Sequence, residues 1–293
     1  MEPFIDKATA MRDFDETNIT AAVIEQFGAA TDPRLKRLMT SLVQHLHDFV
    51  RDVEPTFDEW SFAIDYLTRT GQICTDKRQE FILLSDALGV SMLVDAINHR
   101  MPEGATETTV MGPFYVEGPP ELPHGADVSS GIDGEPLLVE GTVSSSDGTP
   151  LAGAIVDIWQ SDGDGYYDVQ QPELDGPLLR ARFRTDEAGR FWFRSIMPAY
   201  YPIPHDGPVG QMLAATKRHP NRPAHVHFMI AAAGHETLIT HVFAADSPYL
   251  DSDAVFGVKN SLIVEFAHRP AGPAVERAHR HLAYDFGLKR LGA

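Results

Sequence analysis

Cysteine is almost absent. Of 293 residues only Cys74 carries a thiol, which excludes an internal disulfide and a zinc site built on thiolates. No stretch approaches the roughly 18 consecutive apolar residues of a membrane-spanning helix. Positive charge is scarce as well: 24 lysines and arginines face 42 aspartates and glutamates, a formal charge of −18. That balance repels phosphate backbones and anionic bilayers, so no nucleic acid and no membrane is expected as a partner. The opening residues MEPFIDKATAMRDFDE lack a basic stretch followed by an apolar run, so no secretory signal is expected and a cytoplasmic protein is. Internal repeats and low-complexity tracts are missing too.

What remains is ordinary globular composition, 43% hydrophobic and 23% charged. The length suits about two domains and is enough to bury a core without staples.

The first hundred residues read as helices. A short one is expected around Ile19 to Phe27. Asp32-Pro33 reads as an N-cap with proline at the first helical position. Beyond it Leu35, Leu38, Met39, Leu42, Val43, Leu46, Phe49, Val50 and Val53 recur at spacings of three and four and share one helical face. On periodicity alone that stripe reads as intramolecular core. Thr56 with Glu59 forms a capping box, and Trp60, Ile64 and Leu67 continue the pattern until Gly71 stops it. A second box, Asp76 with Gln79, opens a segment carrying Phe81, Leu84, Leu88 and further apolar residues to Ile97.

From Met101 to Pro136, glycine and proline break every period, and the expectation is an irregular crossing segment that packs on something or lines a site. After Leu137 the period is two. Leu137–Val143 with Ala154–Trp159, Leu179–Arg184 with Phe191–Ile196, and Ala224–Ala231 with Thr237–Phe243 read as three hairpins, and Leu262–Phe266 adds a strand. The expected class is α+β: a helical domain over residues 1–104, then an antiparallel β-sandwich over 105–293.

Histidines crowd the second half. Nine of the 13 follow residue 200, and His225 and His227 stand two apart in RPAHVHF. On a strand they point to one face, so the pair reads either as half a metal site or as two imidazoles on the wet side of a sheet. No thiol lies near. Tyr167, in DGDGYYD, and Tyr201, in PAYYP, sit in loops where a tyrosine is usually a packing residue. A phenol ligates only as phenolate, and with a pKa near 10 it needs a hard, highly charged cation to lose its proton at neutral pH. Two tyrosines and two histidines together would make a mononuclear Fe(III) site.

The segments DIWQSDGDGYYD, RTDEAGRFWFRSIMPAYYPIPHDGP and RHPNRPAHVHF resemble, in order and spacing, the three ligand-bearing segments of the intradiol ring-cleavage dioxygenases. The resemblance runs from about Thr109 to Phe266, and the preceding helices resemble the dimerising domain of the catechol branch. HVFAADSPYLDSDAVFGVK is most similar to the hydroxyquinol-cleaving members, which act on benzene-1,2,4-triol. The resemblance implies one Fe(III) per subunit, Tyr167 and His225 as equatorial ligands, and Tyr201 and His227 as axial ones. Tyr201 would leave the metal to take a proton from the substrate. Arg222 matches the arginine over the bound ring, where composition alone would read a surface ion pair. His241 stands where catechol-cleaving relatives carry glutamine. Leu83, Asp86, Val110, Gly112, Pro113, Phe114 and Val255 would line the ring pocket, with Asp86 facing either a third ring hydroxyl or solvent. The expected partners are an aromatic diol or triol, O2, and a second copy of the chain held through the N-terminal helices, with phospholipid in their crevice. Catechol or chlorocatechol cleavage is the nearest rival reading. A zinc hydrolase and a binding module without metal are the remoter ones.

Overall fold

The computed structural model describes residues 12–75, 78–129, 131–171, 174 and 176–292. The chain forms two compact units, residues 1–68 and 69–293.

The first unit is helical. α1 covers Ile19–Phe27 and α2 Pro33–Val53, where the Asp32 carboxylate accepts from the Arg34 N–H at 2.8 Å and Pro33 opens the helix. The capping box at the start of α3 (Phe57–Gln72) is formed: the Thr56 N–H donates to Glu59 Oε2 at 2.8 Å and the Glu59 N–H to Thr56 Oγ1 at 3.3 Å. α3 runs through Gly71 and ends one residue later. The long stripe of α2 is not core. Val43 is its only buried residue, while Leu35, Leu38, Leu42, Leu46, Phe49 and Val53 are about half exposed. One short partner, α1, is too little to cover a helix of 21 residues.

The second unit opens with α4 (Glu80–Ala87) and α5 (Val90–Asn98). The single helix expected to run to Ile97 is divided because Gly89 adopts φ +73°, a left-handed conformation that ends one helix and starts the next. Of its expected capping box, Asp76 lies outside the described residues. Glu80, fully buried, accepts from the Val209 N–H at 3.1 Å and so caps α6 (Pro208–Ala215), a helix the periodicity did not reveal.

Two sheets follow. The strands are β1 (Pro136–Ser145), β2 (Ile155–Gln160), β3 (Arg180–Arg184), β4 (Arg190–Ile196), β5 (Tyr201–Pro202), β6 (Asn221–Arg222), β7 (His225–Ala231), β8 (Leu238–Ala244), β9 (Ile263–Val264), β10 (Ala267–Arg269) and β11 (His279–Leu288). One sheet has the order β10-β11-β1-β4, the other β3-β2-β7-β8-β9, and β5 with β6 forms a separate ribbon. The sandwich is mixed rather than purely antiparallel: β1 pairs parallel with β11 and β8 with β9, pairings that long intervening connections permit.

Two of the expected hairpins are corrected. β1 and β2 lie in different sheets, and so do β3 and β4. The turns at Gly148 (φ +86°) and Gly189 (φ +74°) exist, but each hands the chain across the sandwich. Phe183 of β3 and Phe193 of β4 therefore stack through the core at 5.1 Å instead of pairing side by side. Both are fully buried. Burying a phenylalanine side chain stabilises by about 2–3 kcal/mol relative to exposure. The third hairpin, β7 with β8, is formed as expected.

Alternation along the five-stranded sheet decides where chemistry can sit. Ile158, Ala181, Val226, Phe228 and Val242 face the core. The opposite face carries one register row, Arg180–Trp159–His227–His241, with His225 opposite Phe243 in the next. The irregular segment from Met101 to Glu135 passes over this unit, anchored by the Thr109 N–H to the Ile239 carbonyl at 2.9 Å and by the Tyr115 hydroxyl to Asp157 at 3.3 Å.

Candidate metal centre

His225 and His227 are each 1% exposed, so the wet-face reading of the pair fails. The His225 Nδ1–H donates to the Pro223 carbonyl at 2.7 Å, which fixes the tautomer and leaves the Nε2 lone pair free. That Nε2 lies 3.1 Å from His227 Nε2, and Tyr167 Oη lies 3.0 Å from the same His227 atom. His227 is stacked on Trp159 at 4.5 Å, and its buried Nδ1 has no hydrogen-bond partner among the described residues.

Tyr167 opens a short 3-10 turn, Asp168–Gln170, with its N–H donated to Gln170 Oε1 at 2.9 Å. Its ring is fully buried, stacked on Phe114 at 4.3 Å and edge-on to Tyr201 at 5.3 Å. Tyr201 sits on β5, directly opposite Arg222 on β6, so the ribbon brings a phenol and a guanidinium to one place. The Tyr201 ring lies 5.6 Å from His225. The neighbouring Tyr166 and Tyr200 are exposed. Thus Tyr167, Tyr201, His225 and His227 converge. Heteroatoms sharing one ion at about 2.0–2.1 Å lie about 3 Å apart, the spacing of the two closest contacts here, so the donor set fits a metal. His225, His227 and His241 also form a three-imidazole group compatible with metal binding.

Electrostatics favour the same reading. Burial, reinforced by Arg222, pushes the His225 imidazole down to about 3. Burial and the neighbouring histidines hold His227 and His241 well below the usual range. All three are neutral with lone pairs available. Burial and then Tyr201 push the Tyr167 phenol well up, while Arg222 and Arg180 pull the other way, so only a strong cation would make it a phenolate.

Arg222 keeps its charge although burial works against it, because Asp253 and the two tyrosines outweigh that penalty. The Arg222 Nε–H donates to Asp253 Oδ1 at 3.1 Å, and Nη2 lies 3.4 Å from His241 Nδ1. Asp253 also accepts from the Gly257 N–H at 2.8 Å. No sequence argument singled out Asp253. The available signal was that a buried arginine requires a buried carboxylate, and DSDAVFG supplies one inside an apolar stretch.

Of the expected pocket residues, Phe114 touches both tyrosines. Gly112 has φ +76°, a left-handed backbone that favours glycine, and a Cβ there would lie 3.4 Å from His227 Cε1. The Val110 backbone lies near His241, where it works against the burial that lowers the imidazole's pKa. Leu83 and Val255 pack in one apolar cluster with Ala87, Ile203 and Ala254. Asp86 is buried. Burial raises its pKa, the Ser91 hydroxyl and Arg222 lower it, and Asp253 raises it further, which puts its carboxyl within range of the Arg222–Asp253 pair. Pro113 is exposed.

Comparison with known proteins gives the family. The family "Dioxygenase" matches residues 110–290, and "Catechol dioxygenase N terminus" matches 32–106. The chain is 56% identical to a 6-chlorohydroxyquinol 1,2-dioxygenase of Cupriavidus pinatubonensis, over 89% of this chain and 95% of that protein. A hydroxyquinol 1,2-dioxygenase of a Rhizobium species is 53% identical over 86% of each. The crystal structure of hydroxyquinol 1,2-dioxygenase from Pseudomonas putida superposes with a TM-score of 0.91 at 49% identity, covering 94% of this chain and 98% of that one. Catechol 1,2-dioxygenase from Pseudomonas arvilla follows at a TM-score of 0.80 and 31% identity, covering 94% and 93%. A sandwich sheet presenting two imidazoles, two loop-borne phenols beside them and relatives of this likeness across both halves of the chain lead to one statement: this protein belongs to the intradiol ring-cleavage dioxygenase family.

Proposed function

We propose that the chain is a hydroxyquinol 1,2-dioxygenase that adds both atoms of O2 to benzene-1,2,4-triol, giving 3-hydroxy-cis,cis-muconate and its tautomer maleylacetate. The observation that carries this reading is the buried convergence of Tyr167, Tyr201, His225 and His227, with heteroatom contacts of 3.0 and 3.1 Å. The relatives named for hydroxyquinols support the substrate. Tyr167, Tyr201, His225 and His227 would hold ferric iron, which would supply the Lewis acidity that ionises phenols at neutral pH and activates the ring toward O2.

The chain's own residues do the rest. Tyr201 Oη takes the proton of one ring hydroxyl. Arg222, held by Asp253, offers a fixed positive charge to the oxyanion that develops, and His241 lies against the same guanidinium. Val110, Gly112, Pro113 and Phe114 form one wall of the pocket, Leu83 and Val255 the other.

Asp86 faces the third hydroxyl of the triol. Burial raises its pKa while Arg222 pulls the other way, and its carboxyl accepts a hydrogen bond from that group. A site built around such a bond rejects rings that lack it. Asp86→Ala is therefore expected to lower kcat/KM for the triol by about 10-fold or more, the size of a hydrogen bond to a charged group, while sparing catechol. Rates on both substrates check this; an unchanged ratio would remove Asp86 from the pocket.

The exposed stripe of α2, continued by Trp60, Ile64 and Leu67 of α3, supports a homodimer through these helices, with phospholipid in the crevice. Light scattering should give twice the 32.3 kDa chain mass. Leu46→Asp with Phe49→Asp is expected to give monomers, and lipid extraction of the purified dimer identifies what the crevice holds. Among the described residues no helix is long and apolar enough to cross a membrane, and the single thiol supports a cytoplasmic location.

The test of function is a visible spectrum with iron and zinc measured on the same sample. Tyrosinate-to-iron charge transfer should colour the protein red, and anaerobic triol should shift that band before air bleaches it to a dicarboxylate. Faster turnover of catechol or chlorocatechol than of the triol would replace the substrate. A colourless protein filled with zinc, or one that cannot take up iron, would overturn the reading.

A further inference from the structure

Arg180 begins β3 in the register row that runs through Trp159 to His227. Its side chain is 3% exposed, yet it is a full positive charge inside the unit. The Nε–H donates to Asp168 Oδ2 at 2.6 Å, and Nη2 donates to the other Asp168 oxygen. The third contact goes elsewhere: the Nη1–H donates to the Phe114 carbonyl at 3.0 Å. Asp168 is the residue after Tyr167, and it also accepts from the Leu178 N–H at 3.1 Å. Phe114 is the residue whose ring stacks on Tyr167. Leu179, immediately before Arg180, holds φ +54° while fully buried, a backbone that a leucine adopts only where its surroundings impose it.

We propose that Arg180 is a positioning residue for the Tyr167 ligand: it clamps the loop carrying the phenol through Asp168 and the pocket wall stacked on that phenol through the Phe114 carbonyl. The inference rests on the reading of Tyr167 as an iron ligand and adds what sets its orientation. A planar, bidentate guanidinium is required, because one side of the fork grips a carboxylate while its remaining nitrogen reaches a carbonyl on a different segment. Lysine keeps the charge but cannot hold both. The arrangement makes the tyrosine and the ring wall move as one body, referred to the same strand row that carries His227.

The experiment uses iron-loaded full-length protein as wild type, Arg180→Lys, Asp168→Asn, Tyr167→Phe and the Arg180→Lys/Tyr167→Phe double variant. Near-UV circular dichroism verifies that each is folded. Asp168→Asn, which keeps the side-chain shape, carries the comparison should Arg180→Lys not fold. The readouts are the visible tyrosinate band and the rate of iron loss to a chelator. Arg180→Lys and Asp168→Asn are expected to shift the band and to weaken iron retention by about 10–100-fold, the usual effect of releasing a ligand's orienting partner. In the Tyr167→Phe background the Arg180 change should move the remaining band no further. Bands and loss rates that superimpose on wild type overturn the proposal, and so does an equal shift in both backgrounds, which marks a general structural effect. A wild-type protein without a tyrosinate band overturns the iron site itself, a different result from either.

Discussion

His227→Ala is expected to purify with little iron and no measurable ring cleavage. This imidazole is the hub of the cluster, contacting Tyr167 Oη, His225 Nε2 and the face of Trp159. Truncation removes one of the four proposed metal donors and the ring that stacks on Trp159. Loss of a mere orienting partner costs about 10–100-fold in affinity. Loss of the donor itself should exceed that range, and turnover should fall with it. Tyr166→Phe is the control, since that residue is 55% exposed. Iron content and oxygen uptake on the same preparations give the answer. A variant with full iron and wild-type rate would remove His227 from the ligand set.

Tyr201→Phe is expected to separate binding from chemistry. The ring is buried among Trp159 and Tyr167, and phenylalanine keeps that packing. Three of the proposed donors remain, so iron should be retained in part. What disappears is the proposed acceptor of a substrate proton, and groups in that role are worth about 10²–10⁴ in rate. The fall should appear in kcat far more than in KM, because the ring walls and Asp86 are untouched. Tyr200→Phe, at the exposed neighbour, should leave both unchanged. An active Tyr201→Phe enzyme would move the proton acceptor elsewhere.

The sequence disclosed the site better than it disclosed the strand pairing. A two-residue spacing of histidines on a strand fixes their common face, and phenols in loops beside them narrow the metal to a hard cation. Turn residues, by contrast, show that a chain reverses without showing where it goes. Asp147-Gly148 and the turn ending at Gly189 have the composition of hairpins, yet each crosses between sheets, the second placing Phe183 and Phe193 in a stack through the core. β11 escaped notice for a related reason. Its long partner is β1, more than a hundred residues away, its other neighbour β10 is only three residues long, and His279, Arg280 and His281 blur its alternation. Asp253 and Arg180 were invisible because their meaning lies in partners that come close only on folding, Arg222 in one case and the Phe114 carbonyl in the other.

The register of β7 sets a mechanical asymmetry within the centre. A slip by one residue would bring Val226 and Phe228 outward and send both imidazoles into the sandwich, so these two donors are as fixed as the core itself. Tyr201 hangs instead on a two-residue ribbon, where displacement disturbs few pairs. The phenol proposed to take the substrate's proton thus sits on the compliant element, and the stiff strand serves as its anvil. Retargeting such an enzyme to other rings is accordingly a task for the loops at 110–114, 162–168 and 253–257, with the histidine strand left as the datum from which every new shape is measured.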